Sequence, residues 1–458
     1  MTAYYDFLTA KGRNDRGNGL EIGPSELHPA LYPFQRDLVH WALILGRAAI
    51  FADCGLGKTL MQLAWAHEVY KVTGRPVLIL TPLAVSYQTA DEAKRFGIPA
   101  CISRTGDLTA EIVIVNYERL SKFDSQALGG IVCDESSILK SFDGVTRRDL
   151  TYFMKAIPFR LLCTATAAPN DYTELGTSSE ALGYLGHMDM LSRFFTNRRN
   201  TSHPVRGRAH DIVPWRFKGH AEIPFWRWIS SWARAMRKPS DLGYDDNGFN
   251  LPDLAYRRHM IGNIRPPEGM LFAMPAVGLR EERDELRRSL TERCELAATL
   301  VEKSDYAVVW CHLNDESRLL RQMIPGAIEV TGQEPTDSKE EKLRAFSAGE
   351  ARVLITKPSI AGWGLNWQHC AHMTFFPSHS YEQFYQSIRR CWRFGQKRSV
   401  TVDIVATEGG LGTVKNLERK AAQASKMFDS LLIHMRQAET LRVSDDYPEE
   451  VCVPTWAS

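Results

Sequence analysis

The chain has 458 residues, 44% apolar and 24% charged, an ordinary globular composition that excludes wholesale disorder and favours two or three domains at ~100–200 residues each. Lys and Arg total 56 against 54 Asp and Glu, a net charge of +2; this excludes a polybasic tail protein and leaves room for a local basic groove. Nine scattered cysteines contain no C-x-x-C pair, which gives no support for a zinc site or redox pair and suits reduced thiols in a cytoplasm-like compartment. The opening residues lack a basic region followed by an apolar stretch, and runs such as Trp41–Leu45 fall far short of the ~18 residues a membrane span needs. A soluble, intracellular protein without a membrane partner is therefore expected.

From 34 to 175, short apolar runs alternate with helix-like segments. The runs are 48–53, 77–82, 111–116, 130–135 and 160–166. Each is apolar nearly throughout and ends in small or polar residues, as strands buried on both faces of a parallel sheet do. Helices are expected over 60–72 and 85–95. Between ~177 and 290 the composition changes. Residues 191–218 carry seven Lys and Arg (Arg193 to Lys218) against one acid, Asp211, with Trp215, Trp226, Trp228 and Trp232 in or just after them. This stretch is read as a partly helical insertion, its tryptophans as core and its basic loop as a possible extension of a track. The strand pattern then returns at 306–312, 326–332, 351–357, 372–377 and 401–407, with helical segments at 279–303, 314–323, 336–349 and 380–393. From Leu411 to about Arg442, apolar positions from Val414 to Met435 recur at three and four, the mark of one long helix with one buried face. The expected division is an N-terminal extension (1–30), a first α/β unit (31–176), the insertion (177–290), a second α/β unit (291–410) and a C-terminal helix and tail (411–458).

Residues 52–59, Ala-Asp-Cys-Gly-Leu-Gly-Lys-Thr, follow a predicted strand and open a predicted helix. That is the context of a phosphate loop. Gly55 and Gly57 let backbone N–H groups turn toward phosphate oxygens, Lys58 reaches the β- and γ-phosphates, and Thr59 ligates Mg²⁺. The usual first glycine is Ala52. Residues 130–135 form an apolar strand ending in two acids. Asp134 is the candidate to hold Mg²⁺ through water and Glu135 to activate the attacking water.

At these residues the chain resembles the superfamily-two helicases, and further motifs are similar to the Swi/Snf-like branch of DNA translocases, in the compact form found in bacteriophages and prophages. Leu-Tyr-Pro-Phe-Gln (31–35) resembles the adenine-reading segment, with Gln35 at the glutamine. Leu-Thr-Pro-Leu (80–83) resembles the first strand-contacting motif, and Val-Asn-Tyr-Glu (115–118) resembles the branch's Thr-Thr-Tyr-Glu segment. Thr164-Ala165-Thr166, followed by Asn170, resembles the coupling motif. Ala-Gly-Trp-Gly-Leu-Asn (361–366) is similar to the family's glycine-rich loop, which brings Gly364 to the nucleotide. Residues 386–396 resemble the Gln-x-x-x-Arg-x-x-Arg-x-Gly-Gln helix through Gln386, Arg390, Arg393, Gly395 and Gln396. Asp-Glu-Ser-Ser replaces Asp-Glu-Ala-His, and Thr-Ala-Thr-Ala replaces Thr-Gly-Thr-Pro.

The resemblance implies an α/β fold of two RecA-like lobes with parallel sheets, ATP and Mg²⁺ as ligands, and a catalytic set of Glu135, Gln386, Arg390 and Arg393. It implies coupling through Thr164 and Thr166, and duplex DNA as the track. Arg390 and Arg393 lie three apart on a helix and share a face, so closure of the second lobe brings both to the γ-phosphate. Thr81, Asn116 and Tyr117 on the first lobe, and Thr331, Thr356, Lys357 and Trp363 on the second, sit at strand ends and are the candidate nucleic-acid contacts. The readings set against a DNA motor are an RNA helicase and a non-motor ATPase clamp recruiting a nuclease, or a replication or recombination protein. A phage source implies the cytoplasm of a bacterial host.

Overall fold

A computed structural model describes residues 19–82, 85–140, 145–168, 171–197, 215–262, 279–362, 365–407 and 410–442. The first lobe opens with α1 (Pro33–Leu45), β1 (Arg47–Ala52), α2 (Lys58–Thr73), β2 (Val77–Thr81), α3 (Ser86–Arg95), β3 (Ala100–Ile102), β4 (Ile112–Asn116), β5 (Gly130–Asp134), α4 (Val145–Met154) and β6 (Phe159–Cys163). It continues with α5 (Leu175–Leu182), α6 (His187–Phe194), a two-stranded antiparallel pair of β7 (Phe195–Asn197) and β8 (Trp215–Phe217), α7 (Glu222–Trp232) and β9 (Ala233–Met236). Seven strands form a parallel sheet in the order β3-β4-β2-β5-β6-β1-β9. Every residue of β2, β5 and β6 is buried. The two-fold alternation sorts their side chains: Ala49 and Phe51 of β1 enter the core beneath α4–α7, and Ala48, Ile50 and Ala52 enter the core beneath α1 and α2.

The second lobe comprises β10 (Leu254–Ile261), α8 (Leu279–Arg288), α9 (Leu290–Val301), β11 (Ala307–Trp310), α10 (Asn314–Met323), β12 (Ile328–Val330), α11 (Thr336–Ser347), β13 (Val353–Thr356), α12 (Pro358–Ala361), β14 (His372–Phe375), α13 (Tyr381–Cys391), β15 (Val400–Thr407) and α14 (Leu411–Arg442). Its six strands are parallel, in the order β10-β15-β14-β11-β13-β12. Two parallel α/β sheets covered by helices are the RecA-like pair that the motifs imply. Among the described residues no helix is long and apolar enough to cross a membrane.

The structure differs from the sequence reading between 177 and 290. This stretch builds into both sheets: β9 pairs with β1 at one edge, β10 pairs with β15 at the edge of the other, and residues 237–253 cross between them. Strand β9 reads Ala-Arg-Ala-Met and β10 carries Arg257, Arg258 and His259, so neither shows the apolar run of a buried strand; both are edge strands. The tryptophans enter the first lobe's core, with Trp226 and Trp232 buried and Trp215 and Trp228 packed against that cluster. Residues 198–214, most of the basic loop, lie outside the described residues.

Helix α14 returns from the second lobe to the first. Val414 joins the second lobe's core; Phe428, Leu431 and Met435 join the first's, where the helix packs on α7 and β9. Arg237 secures it, donating to Asp429 (2.8 Å) and the Ser425 carbonyl (2.8 Å) with its guanidinium over the Phe428 ring.

Candidate ATP site between the lobes

Strand β1 ends at Ala52 and the loop to α2 turns through left-handed glycines, Gly55 (φ 89°) and Gly57 (φ 75°). Side chains are excluded there for a second reason: a Cβ on Gly57 would fall 2.3 Å from Gln35 Nε2, and one on Gly55 2.9 Å from the Phe394 ring of the other lobe. Lys58 folds over the loop, its Nζ donating to the carbonyls of Ala52 (2.9 Å) and Asp53 (3.3 Å). Ala52 therefore serves the loop through its backbone, which an alanine supplies as well as a glycine. Gln35 braces the loop: its amide donates to the Leu56 carbonyl (2.8 Å) and its oxygen accepts the Tyr32 N–H (2.9 Å) that caps α1. Both ends of that amide are thus engaged within the chain.

Strand β5 brings Asp134 and Glu135 beside the loop. Asp134 accepts from Gln62 (2.7 Å) on α2, and Tyr117 donates its hydroxyl to the Asp134 carbonyl (2.6 Å). Burial and the neighbouring Glu135 push the Asp134 carboxyl up to about 7, against the pull of Gln62 and Lys58. A buried acid whose ionisation is so penalised suits a cation as partner, and with the Thr59 hydroxyl it makes the sparse protein donor set that Mg²⁺ takes when phosphates and water complete its shell. Among the described residues no group of three His, Cys, Asp or Glu is gathered as a metal cage. Glu135 is the one non-glycine residue with positive φ (52°) among those described, a strained turn at a buried carboxylate. Its Oε2 accepts from Thr164 (3.3 Å), whose hydroxyl also takes the Thr166 N–H (3.0 Å).

The second lobe reaches into this site through α13. Gln386, fully buried, donates to Glu135 Oε2 (3.4 Å) and Thr166 Oγ1 (3.5 Å), and its oxygen accepts from Arg390 (3.1 Å). Arg390 and Arg393 converge on one carbonyl oxygen, that of Leu365, at 3.2 Å each. Burial and the Arg390 charge bring the Arg393 guanidinium down to about 10, and its Nε is buried without a partner. Two cations facing one neutral dipole form a site whose electrostatics favour an anion.

The candidate nucleic-acid contacts divide. Thr81 and Thr356 are fully buried with their hydroxyls bonded to Ser86 and to the Val330 carbonyl, and Tyr117 is buried on Asp134. This revises their expected contact with a nucleic-acid backbone: they support the strand ends from beneath. Asn116, Thr331 and Lys357 are half-buried, with Lys357 donating to Asn314 (2.6 Å) and Thr331 to Glu334 (3.1 Å). Trp363, Gly364 and Asn170 lie outside the described residues.

Sequence reasoning missed four residues here. Arg389 and Tyr385 of α13 both bond Asp53 of the phosphate loop, at 2.9 and 2.6 Å. Glu92 on α3 neighbours Thr59 and Arg393; burial raises its carboxyl, opposed by Gln88, Arg393, Arg95 and the Thr59 hydroxyl. The signal was available only for Arg389 and Tyr385, which share a helix face four residues apart.

No family model matches the chain. Over 189 residues it is 27% identical to the human DNA annealing helicase and endonuclease ZRANB3; the match takes in 37% of this chain, which spans 17% of that protein's length. Putative protein p41 of Acyrthosiphon pisum secondary endosymbiont phage 1 is 30% identical over 472 positions, covering 88% of this chain and 98% of p41. The solved SWI2/SNF2 ATPase core of Sulfolobus solfataricus in complex with dsDNA aligns over 92% of this chain and 98% of its own, at 15% identity and a TM-score of 0.43. Two parallel-sheet lobes meeting over a phosphate loop and an arginine-bearing helix make this a helicase-type architecture. Within that class, the chain belongs to one family with phage protein p41, and its motifs resemble those of the Swi/Snf-like branch of superfamily two, in keeping with its likeness to a DNA annealing helicase.

Proposed function

We propose that the chain is a nucleic-acid-dependent ATPase that uses closure of its two lobes to move along or remodel duplex DNA. The observation that carries this reading is the insertion of α13 from the second lobe at the phosphate loop of the first, with Gln386 on Glu135 and Thr166 and the Arg390–Arg393 pair beside them. In this reading the amides of 55–59 and Lys58 bind the phosphates, and Gln35 holds the loop on the adenine side. Thr59 and Asp134 would hold Mg²⁺, which would supply neutralisation of phosphate charge when bound. Glu135 orients the attacking water and accepts its proton. Arg390 and Arg393 take up charge on the transferring phosphoryl group, a role worth ~10³–10⁵ in rate elsewhere.

Thr164 and Thr166 link Glu135 to Gln386, so a change at the γ-phosphate passes to the lobe interface. Asn116, Thr331 and Lys357 remain candidates for backbone contact, with Trp363 and Gly364 carried by the resemblance alone. Duplex DNA is favoured as the track by the Swi/Snf-like spacing of the arginine helix and by kinship with a protein named as a DNA annealing helicase. Membership in a phage protein group supports action in a bacterial cytoplasm.

The test is ATP turnover with duplex DNA, single-stranded DNA and RNA, paired with displacement of a triplex-forming strand. Stimulation by duplex DNA with displacement supports the proposal. Stimulation by RNA alone identifies an RNA helicase, and hydrolysis without displacement identifies a clamp. Binding that weakens with salt by ~0.9 log units per phosphate contacted is expected on the phosphate track.

A further inference from the structure

Helix α13 presents two stripes to the first lobe. Gln386 and Arg390 follow one face, with Gln386 on Glu135 and Thr166; Arg393, expected on the same helix, lies two residues past its end at Cys391 and joins Arg390 at the Leu365 carbonyl. Tyr385 and Arg389, four residues apart, follow the adjacent face, toward Asp53. The motif that defines this helix assigns nothing to position 389, and the phosphate-loop motif assigns nothing to position 53. Yet Arg389 is among the largest fully buried side chains of the protein. Its Nη2 lies 2.9 Å from Asp53 Oδ2 and donates to the Cys54 carbonyl at 2.7 Å. The other carboxylate oxygen of Asp53 accepts the Tyr385 hydroxyl (2.6 Å) and the Cys54 N–H (2.6 Å). The remaining face of the guanidinium is walled by rings, with Trp392, Phe394 and Tyr385 centred 4.8, 5.7 and 5.9 Å away. Its Nε and Nη1 are buried without partners.

From this geometry we infer that Asp53, Arg389 and Tyr385 form an interlobe latch, and that Arg389 is a positioning residue that sets the shape of the phosphate loop when the lobes close. The inference rests on the ATPase reading above for its kinetic consequence. The physical basis is burial. With the lobes apart, Asp53 and Arg389 are solvated separately. With the lobes together, each loses water and pairs with the other at 2.9 Å, so a slipped or tilted docking leaves a buried ion poorly compensated. The pair thus selects one closed register more than it adds stability. Arg389 also grips the Cys54 carbonyl, one residue before the Gly55 turn, and so ties the loop backbone to the second lobe. Burial by itself would ease the proton off this guanidinium; Asp53 and Tyr385 outweigh it and hold Arg389 above its ordinary value, charged under all working conditions.

The experiment uses the full chain with fluorophores at two exposed positions, Tyr152 on the first lobe and Arg318 on the second, to read the closed fraction. Asp53→Asn, Arg389→Gln, Arg389→Lys and the Asp53→Asn/Arg389→Gln double variant are compared for closed fraction with a non-hydrolysable ATP analogue, and for kcat and KM. Each single neutralisation is expected to lower the closed fraction and kcat by about tenfold or more while KM for ATP stays within about threefold. The double variant should lose less than the worse single, because no lone buried charge remains, yet stay measurably below wild type, because the tie from Arg389 to the Cys54 carbonyl is gone, and Arg389→Lys should recover part of the loss. Additive losses, or singles that keep the wild-type closed fraction and kcat, overturn the latch. If the singles fail to fold, the double variant decides: wild-type closure in it refutes the inference. Absence of ATP turnover in the wild-type chain would fail the ATPase reading, whereas the closed-fraction measurement would still test the latch.

Discussion

Arg393→Ala separates a charge held for catalysis from a charge held for structure. The guanidinium of this residue falls from its ordinary value to about 10. By the conversion of about 1.4 kcal/mol per unit, keeping Arg393 charged in the folded protein costs roughly 3 kcal/mol. The causes are burial first and then the Arg390 charge beside it. Among the described residues its side chain bonds the Leu365 carbonyl, which Arg390 already holds. An anionic phosphoryl group placed between the two arginines recovers that cost, and the recovery grows as charge develops on the equatorial oxygens. The expected loss on truncation is therefore about two to three orders of magnitude in kcat, near the lower end for arginine fingers. The same truncation removes a repelled charge, so thermal stability should stay level or rise. Single-turnover hydrolysis with duplex DNA, measured beside a thermal melt, checks both halves. A variant that melts early and turns over normally would show the side chain to be a strut, and the finger assignment would be refuted.

Three further outcomes follow from the same structure. Glu135→Gln should retain nucleotide binding and lose turnover by at least ~10², because the amide still accepts from Thr164 and Gln386 but takes no proton; binding of a fluorescent ATP analogue and phosphate release measure the two separately. Leu431→Ala should destabilise the first lobe by ~2–4 kcal/mol, since this residue of α14 is 1% exposed in that lobe's core; denaturant melts monitored by Trp fluorescence and proteolysis at α14 test it. Acid should weaken the second lobe through Asp403. Burial raises that carboxyl, but hydrogen bonds with His372 (2.6 Å) and His259 (2.8 Å) outweigh it and leave it below its ordinary 3.8. Its stabilisation is thus present above pH ~3.8 and is lost as pH falls through the lower folded value. Asp403→Asn should be less stable than wild type at pH 6, and that difference should shrink as pH is taken below 3.8, as read by melts over an acid series.

Local pattern makes much of this molecule legible in its sequence. Strands β1, β2, β4, β5 and β6 were visible because a strand buried on both faces has to be apolar nearly throughout. The long C-terminal helix was visible because Val414 to Leu431 kept a helical period. The phosphate loop and the arginine helix were visible because each is a contiguous spacing whose chemistry is local. What escaped was set by position in the sheet or by distance in the chain. Strand β9 has four residues, one of them Arg234, whose guanidinium sits over the Trp41 ring; an edge strand tolerates this and so carries no strand signature. Thr81, Tyr117 and Thr356 have the residue types of phosphate contacts, yet burial turned their hydroxyls inward. Residue type states what a side chain can bond and leaves open whether water or another strand meets it first.

The amino-acid order alone determined the chemistry of each half: a loop able to cradle phosphates, two acids at a strand end, and a helix with Gln386 and Arg390 that leads into Arg393. Only the tertiary structure decided how the halves meet, with Gln386 on Glu135, Arg389 on Asp53, and α14 crossing back to the first lobe. The reason is geometric. Helical phase assigns side chains to faces, but the partner of each face lies up to some 330 residues away, and only the packing of two sheets and their linker brings that partner within bonding distance.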